Sequence, residues 1–302
     1  MLLTVFMYLA AAAFAGFSLY KVYLFAQNPL NNRWELYPVP GELGTRGSYG
    51  GSYYEEAEWW ARPRQVSHTG VYREMLKESL FMRNLFVNRR KHWRLSYAMH
   101  LGIYLLVFFT FLLLAGAITE LSGLRLTTLT GAGNHPWARL VYFATSVTGA
   151  CGASLTAFGS ASLLFSRVLD GTLRKYTDFD EYFNLCFILA AAVSGLIVWS
   201  TDPGFNYGRE VVTAMLTFAP IRGGTALTVH ILLFGALLIY IPRTKMSHYI
   251  GKYFAYHKVL WDNEPNLSGS VMEEKVRKSL EYIPQDRWSA PHVNSAGRQD
   301  SL

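Results

Sequence analysis

Long apolar segments alternate with polar segments along this chain. Five of the apolar segments are close to or above the roughly 20 residues that a helix needs to cross a bilayer. They occupy positions 2–25, 95–117, 137–165, 182–199 and 226–249. Shorter stretches at 72–89, 211–218 and 271–282 have apolar residues at helical spacing. The pattern predicts an all-α membrane protein with five transmembrane helices and three short helices outside the spans.

The first apolar segment is predicted to remain in the protein as a membrane helix. No basic stretch precedes it, and it is longer than the apolar core of a secretory signal. A cleaved signal is the alternative. The predicted organisation is a first helix at 1–27, an aromatic and basic loop at 28–94, a four-helix membrane bundle at 95–258 and a tail at 259–302.

Charge is distributed unevenly between the connections. The chain has 302 residues, is 51% hydrophobic and 16% charged, and has a net charge of +7. The long loop, the tail and the connection after the third segment hold 23 of the 28 Lys and Arg residues, whereas the other two connections hold three. Positive residues stay on the cytoplasmic side of a membrane protein. The distribution therefore predicts an outside N-terminus and a cytoplasmic C-terminus. An anionic lipid surface accounts for the basicity, so no nucleic acid is expected.

The loop at 28–94 is too long for a simple connection and is rich in aromatic residues. Trp34, Tyr37, Trp59 and Trp60 lie among charged residues within it. Protein interfaces favour large aromatics in such surroundings. The loop either forms an interface with a partner or packs over its own bundle.

Small residues are frequent in the third segment, where they favour close helix packing or leave room for a flat macrocycle. The chain has only two cysteines, Cys151 and Cys186, both in predicted spans. Two cysteines are too few to bind an iron–sulfur cluster, and no Cys-x-x-Cys-His motif attaches a c-type haem. We predict that both are buried structural thiols.

Three histidines lie within or at the ends of predicted spans, where ionisable residues are costly and usually functional. His100 and His248 are near the cytoplasmic ends of the second and fifth segments, which run in opposite directions, so they are expected at similar depth. His230 precedes His248 by eighteen residues. In one continuous helix the two would share a face ~27 Å apart. Histidines at matched depth on facing helices bind haem iron; hydrogen-bonded structural histidines are the alternative.

His135 and Arg139 are predicted at the outer end of the third segment, at a depth comparable to that of His230. They are either interfacial anchors or polar groups that bind a quinone. No acidic residue is central in a span and no inverted repeat is visible, so a transporter is disfavoured.

Several of these residues resemble the gamma-subunit family of respiratory nitrate reductase. The similarity covers most of the chain and includes 97–102 (YAMHLG), Pro242-Arg243 and the histidines at 230 and 248. Further stretches are similar to the branch paired with heterodisulfide-reductase-like iron–sulfur proteins, as in the membrane redox complexes of sulfate reducers. These stretches are 33–38 (RWELYP), 50–53 (GGSY) and 288–292 (WSAPH). The resemblance implies a five-helix membrane cytochrome b with two b-haems.

The resemblance also implies residue roles. His100 and His248 would be the axial ligands of the haem nearer the cytoplasm, and His230 one ligand of the haem nearer the outside. The position of the family's second outer ligand is occupied by Thr110. Three outcomes remain: the outer haem is absent, it is five-coordinate on His230, or His135 replaces the missing ligand.

The expected function is that of a haem b subunit in the cytoplasmic membrane of a prokaryote. It would exchange electrons between quinone, menaquinone in particular, and a cytoplasmic iron–sulfur partner, as one subunit of an oxidoreductase and not as a stand-alone enzyme. The alternative is a haem-free membrane anchor.

Overall fold

The structure is a computed structural model that describes residues 1–27, 39–42, 55–62, 66–126, 135–260 and 268–281, except for the side chain of Trp60. These residues are almost entirely helical and contain no strand; one isolated bridge pairs Glu42 with Val66. Five helices are long and apolar enough to cross a membrane. They are α1 (Leu2–Gln27), α4 (Arg90–Leu121), α5 (Pro136–Leu169), α7 (Phe179–Thr201) and α9 (Thr225–Tyr240). The span that contains α9 continues to Arg243. The prediction of an all-α chain with five helices long and apolar enough to span a membrane is confirmed for this part of the chain.

Six shorter helices accompany the spans. They are α2 (His68–Phe81), α3 (Arg83–Asn88), α6 (Gly171–Lys175), α8 (Asn206–Leu216), α10 (His248–Ala255) and α11 (Val271–Leu280). The three short helices predicted from periodicity are therefore present. The first of them is divided at Met82, whose positive φ of 50° interrupts the helix between α2 and α3.

Contacts between the helix ends show that the spans alternate in direction. Trp137 at the start of α5 donates to Thr119 at the end of α4, and Tyr182 at the start of α7 donates to Arg167 at the end of α5. The bundle thus has two ends. We call them the Arg209 end, where α8 lies, and the His248 end, where α10 lies. α9 packs on α7, and α4 packs on α5 and α8.

The first helix packs into the same unit as the other spans and runs parallel to α9. Near its start, Thr4 donates to Ala219 and accepts from the backbone N–H of Ile221. Near its end, Lys21 reaches the segment that follows α9. Met1–Ala26 and His68–Tyr253 form one compact unit.

The fifth predicted span, 226–249, is not one continuous helix. The α-helix ends at Tyr240, two short 3-10 turns follow at Ile241–Arg243 and Lys245–Ser247, and α10 begins at His248. Pro242 has no N–H to donate, and Thr244 between the turns is extended, with φ −121° and ψ −176°. The expectation that His230 and His248 share one helix face ~27 Å apart, which assumed 1.5 Å per residue throughout, is therefore wrong.

The small residues of α5 serve close helix packing. A side chain at Gly159 would overlap the backbone of Met99 in α4, and one at Gly102 would overlap the backbone of Thr156. Of the two explanations for these residues, packing accounts for this part of the helix. These close contacts involve Met99 and Gly102, which precede and follow His100 in α4.

The prediction of buried thiols is wrong. Cys151 and Cys186 are exposed on α5 and α7, although both helices are membrane spans. Exposed apolar side chains such as Phe143, Phe158 and Ile197 cover the same helices. Exposed positions at mid-span face lipid, where an uncharged thiol is readily accommodated.

Gln27–Ser67 and Phe254–Leu302 form a second unit. Among its described residues, Ser67 donates its backbone N–H to Gly41 O at 2.9 Å, and Arg62 pairs with Glu56 at 2.9 Å. The helix α11 begins with Ser270, whose side chain accepts from the backbone N–H of Glu273 and so caps the helix.

Candidate functional site: a histidine pair

The structure brings His100 and His248 together at one end of the bundle. Their ring centres are 6.0 Å apart and their planes are inclined by 60°. His100 is partly buried on α4, and His248 is exposed at the first position of α10. These residues are 148 positions apart in the chain, so their contact is a product of the tertiary fold.

Backbone hydrogen bonds determine which nitrogen of each ring has the proton. His100 Nδ1 lies 2.8 Å from Ser96 O, and His248 Nδ1 lies 3.3 Å from Lys245 O. A carbonyl oxygen only accepts, so in both rings Nδ1–H is the donor. In the neutral rings Nε2 therefore has a free lone pair. This is the tautomer that binds a metal through Nε2, with the ring held by a bond at Nδ1.

The spacing of the two rings fits a shared metal ion. A histidine nitrogen lies about 2.0 Å from a bound metal, so two imidazoles on opposite sides of one ion have ring centres about 6 Å apart. The observed spacing agrees with this value.

Helix α2 covers the His100 side of the pair. Tyr104, whose ring centre is 6.4 Å from that of His100, donates from its hydroxyl to Ser79 O at 2.5 Å. Lys252, one turn after His248, pairs with Glu78 at 3.0 Å. Both contacts end on the last turns of α2, so this amphipathic helix is attached to each of the two helices that contribute a histidine.

His230 adopts the same tautomer on a different helix pair. Its Nδ1 lies 2.9 Å from Ser194 Oγ, and that hydroxyl donates its proton to Ala191 O at 2.9 Å. Ser194 therefore accepts from Nδ1–H, and Nε2 has the free lone pair. Gly195 makes room for the ring, because a Cβ there would lie 3.1 Å from His230 Cε1.

Among the residues that the structure describes, none is placed as a second ligand beside His230. Thr110 is exposed and donates from its hydroxyl to Leu106 O of its own helix. The contacts of the His230 ring within the described residues are with α7 and with Phe234, whose ring centre is 6.2 Å away.

His135 is used differently. It precedes α5, and its Nδ1 accepts from the backbone N–H of Trp137 at 3.3 Å, so its neutral ring has the proton on Nε2. Binding iron through Nε2 would require the opposite tautomer and would break this helix cap. The geometry thus favours the other two outcomes for the outer haem, absence or five-coordination.

His135 caps the start of α5 and Arg139 lies in its first turn, at the Arg209 end, and both side chains are exposed. The ring of His135 offers Nε2–H, and the guanidinium of Arg139 offers further donors. A quinone carbonyl needs such donors. Their position agrees with the predicted location at the end of the third span.

Sequence reasoning missed a buried charge at the Arg209 end. Arg209 is 1% exposed, and its guanidinium donates to Glu120 at 3.1 Å, to Gly204 O at 2.8 Å and to Asn206 at 2.5 Å. Its stem lies against Gly116 of α4. Charge counting treated this arginine only as an outer-loop residue. The available signal was that Glu120 follows the second apolar segment closely and that Arg209 is one of only three Lys or Arg residues in the two outer connections.

A second missed residue is Lys21 of α1. Its ammonium lies within a membrane span and donates to Pro242 O at 3.2 Å and to Ser247 Oγ at 2.7 Å. A lysine inside an apolar segment is costly unless it has partners. That cost was the signal in the sequence that pointed to a role for this residue.

Several predicted features lie outside the described residues. They are Trp34 and Tyr37 of the long loop and the family-like stretches at 33–38, 50–53 and 288–292. Trp59 is in a 3-10 turn, Trp59–Ala61.

Comparisons of the chain with protein-family models, with curated proteins and with solved structures found no match.

Proposed function

We propose that this protein is the haem b membrane subunit of a respiratory oxidoreductase complex. It exchanges electrons between the quinone pool, with menaquinone as the expected quinone, and a cytoplasmic heterodisulfide-reductase-like iron–sulfur partner. The observation on which the proposal depends is the His100–His248 pair, with ring centres 6.0 Å apart and both Nδ1 atoms bonded to backbone carbonyls.

The protein's own residues would bind and orient the cofactor. His100 and His248 hold the iron through Nε2, and their backbone acceptors, Ser96 O and Lys245 O, fix the ring planes and raise the basicity of the ligands. A bound haem supplies the one-electron chemistry, which no side chain of this chain provides. His230, held by Ser194, is the candidate ligand for a second haem.

The proposed orientation has the N-terminus outside and the His248 end in the cytoplasm of a prokaryotic cell. The support is the charge at that end. Exposed basic residues of the described chain there include Arg83, Arg89, Arg90, Lys91, Arg94, Arg174, Lys175, Arg243 and Lys245. The Arg209 end has few, and Arg209 itself is neutralised by Glu120. This asymmetry follows the positive-inside rule.

An alkaline pyridine spectrum of the purified protein tests the proposal. We expect a b-type haem spectrum with one or two haems per chain. One haem would mean that the outer site is empty. Two haems, with a high-spin component in the absorption spectrum of the untreated protein, would mean that His230 binds iron alone. A chain that is correctly inserted but contains no haem would refute the proposal and support the haem-free anchor.

Quinone is proposed to bind at the Arg209 end, near the first turn of α5. We expect His135→Ala and Arg139→Ala each to slow quinone-linked electron transfer about tenfold, since each removes about one hydrogen bond to the headgroup. The inner haem spectrum should not change. Arg222→Ala, which removes another exposed arginine at this end, is the matched control. Unchanged quinone kinetics in both variants would leave His135 and Arg139 as interfacial anchors.

The iron–sulfur partner is proposed to dock on a cytoplasmic surface formed by the long loop and the tail. In support, Gln27–Ser67 and Phe254–Leu302 belong to one unit. Cross-linking from Lys275 and Lys278, which are exposed on α11, should capture an iron–sulfur subunit in native membranes. Contacts with lipid alone, or with a partner on the opposite side, would exclude this surface.

A further inference from the structure

The first helix does more than attach the chain to the membrane. Five of its residues, Phe14, Phe17, Ser18, Lys21 and Phe25, lie on one helical stripe and contact the segment 242–251. This is the segment that breaks the fifth span and places His248. We propose that Lys21 is the positioning residue for His248, and that α1 acts as a clamp on the broken helix. The inference rests on the proposed role of His248 as a haem ligand.

The break in the fifth span releases backbone carbonyls that an unbroken helix would pair. In or near a bilayer each unpaired carbonyl is costly, so each needs a donor. Lys21 donates to Pro242 O at 3.2 Å, Ser247 donates to Thr244 O from its hydroxyl at 2.7 Å and from its backbone N–H at 3.1 Å, and His248 donates to Lys245 O at 3.3 Å. Lys21 is the donor in this set that comes from another helix.

Lys21 also contacts the hydroxyl group of Ser247, which donates the second of these bonds. Its ammonium donates to Ser247 Oγ at 2.7 Å, so the hydroxyl accepts from Lys21 while it donates to Thr244 O. Ser247 immediately precedes His248. The ammonium therefore fixes both ends of the 3-10 segment, Pro242 at its start and Ser247 at its end, and this determines where α10 begins.

Neighbouring contacts of α1 reinforce the same segment. Ser18 Oγ lies 2.6 Å from the hydroxyl of Tyr249, and the ring of Phe14 stacks on Tyr249 with centres 6.2 Å apart. Arg243 lies over the ring of Phe17 at 5.1 Å. Tyr249 follows His248 directly, so α1 contacts the residues on both sides of the histidine.

The test compares Lys21→Met with Lys175→Met in the purified full-length protein. Methionine keeps the length of the lysine chain but has no donor. Lys175 is exposed on α6, at the same end of the bundle as His248. It lies outside the broken segment, so Lys175→Met is the matched control.

We expect Lys21→Met to weaken haem binding by roughly 10- to 100-fold, the usual cost of losing a residue that orients a metal ligand. The low-spin spectrum should lose intensity to a high-spin form, and the midpoint potential should shift. Lys175→Met should leave both unchanged, and Lys21→Arg, which keeps the charge and donors, should restore part of the low-spin signal. An unchanged spectrum and potential in Lys21→Met, or equal changes in both lysine variants, would overturn the inference.

Amide hydrogen exchange provides a measurement that does not depend on haem. Lys21→Met should accelerate exchange across 243–251, with no change in α4. If the protein contains no haem, the proposed function fails, but faster exchange in Lys21→Met alone would still support the clamp. If Lys21→Met does not accumulate in the membrane, Ser247→Ala replaces it. It removes one acceptor of Lys21 and should produce the same changes at smaller amplitude; no change would count against the clamp.

Discussion

His100→Ala and His248→Ala should each abolish the low-spin haem signal assigned to the His248 end of the bundle. The two rings lie 6.0 Å apart on separate helices, so removing one would leave the iron of the proposed haem with a single protein ligand. The loss of the low-spin signal should be nearly complete, because a five-coordinate haem has a different spin state and binds the protein more weakly. Absorption and electron paramagnetic resonance spectra of the purified variants would measure it.

His92→Ala is the matched control for these variants. His92 is on the same helix as His100, two turns earlier, and is also partly buried. It has no ring contact with another histidine among the described residues. Its replacement should leave the spectrum unchanged. A normal low-spin spectrum in either His100→Ala or His248→Ala, with the protein inserted at its usual level, would show that the pair does not bind haem.

Arg209→Ala should cause the largest loss of stability among single substitutions at the opposite end. The guanidinium is 1% exposed and joins α8 to α4 through Glu120 and to the turn before α8 through Gly204 O. Removing one partner of a buried ion pair costs about 3–5 kcal/mol. The Glu120 side chain is 32% exposed, so the remaining carboxylate regains some water, and we expect about 3 kcal/mol. Denaturant unfolding of the purified protein would measure this value.

Two further variants give this prediction its controls. Glu120→Gln keeps a side-chain oxygen as acceptor but leaves the buried guanidinium without its counter-charge, so it should also cost about 3 kcal/mol. Arg222→Ala removes an exposed arginine from the same end and should change the free energy of unfolding by less than about 0.5 kcal/mol. Equal values for Arg209→Ala and Arg222→Ala would show that the network contributes little. None of the three should alter the haem spectrum, because they lie at the opposite end from His100.

The spans were largely predictable because their signal is local. A run of apolar residues near 20 long can satisfy its backbone in a bilayer only as a helix, so the second segment, predicted at 95–117, is recovered within α4. The boundaries differ because helical hydrogen bonding continues past the apolar run; α4 extends from Arg90 to Leu121. Hydropathy marks where the membrane core lies and not where the helix ends.

The depth argument for the histidines was also available from the sequence. Alternation of spans, together with the positions of basic residues, put His100 and His248 near the same side. No such argument predicted the ion pair of Arg209, because its partner Glu120 is 89 positions away in the sequence. Long-range ion pairs depend on which helix faces are adjacent, and a single sequence does not encode that in any local pattern.

The sequence by itself therefore determined the class of protein, the number and approximate extent of its spans, and the two histidines that meet at one end. The tertiary structure decided how the fifth span is broken. A proline weakens a helix but does not say where the released carbonyls find donors. Lys21, from a helix more than two hundred residues earlier, supplies a donor to Pro242 O and to Ser247. That pairing sets the start of α10, and with it the position of His248 opposite His100.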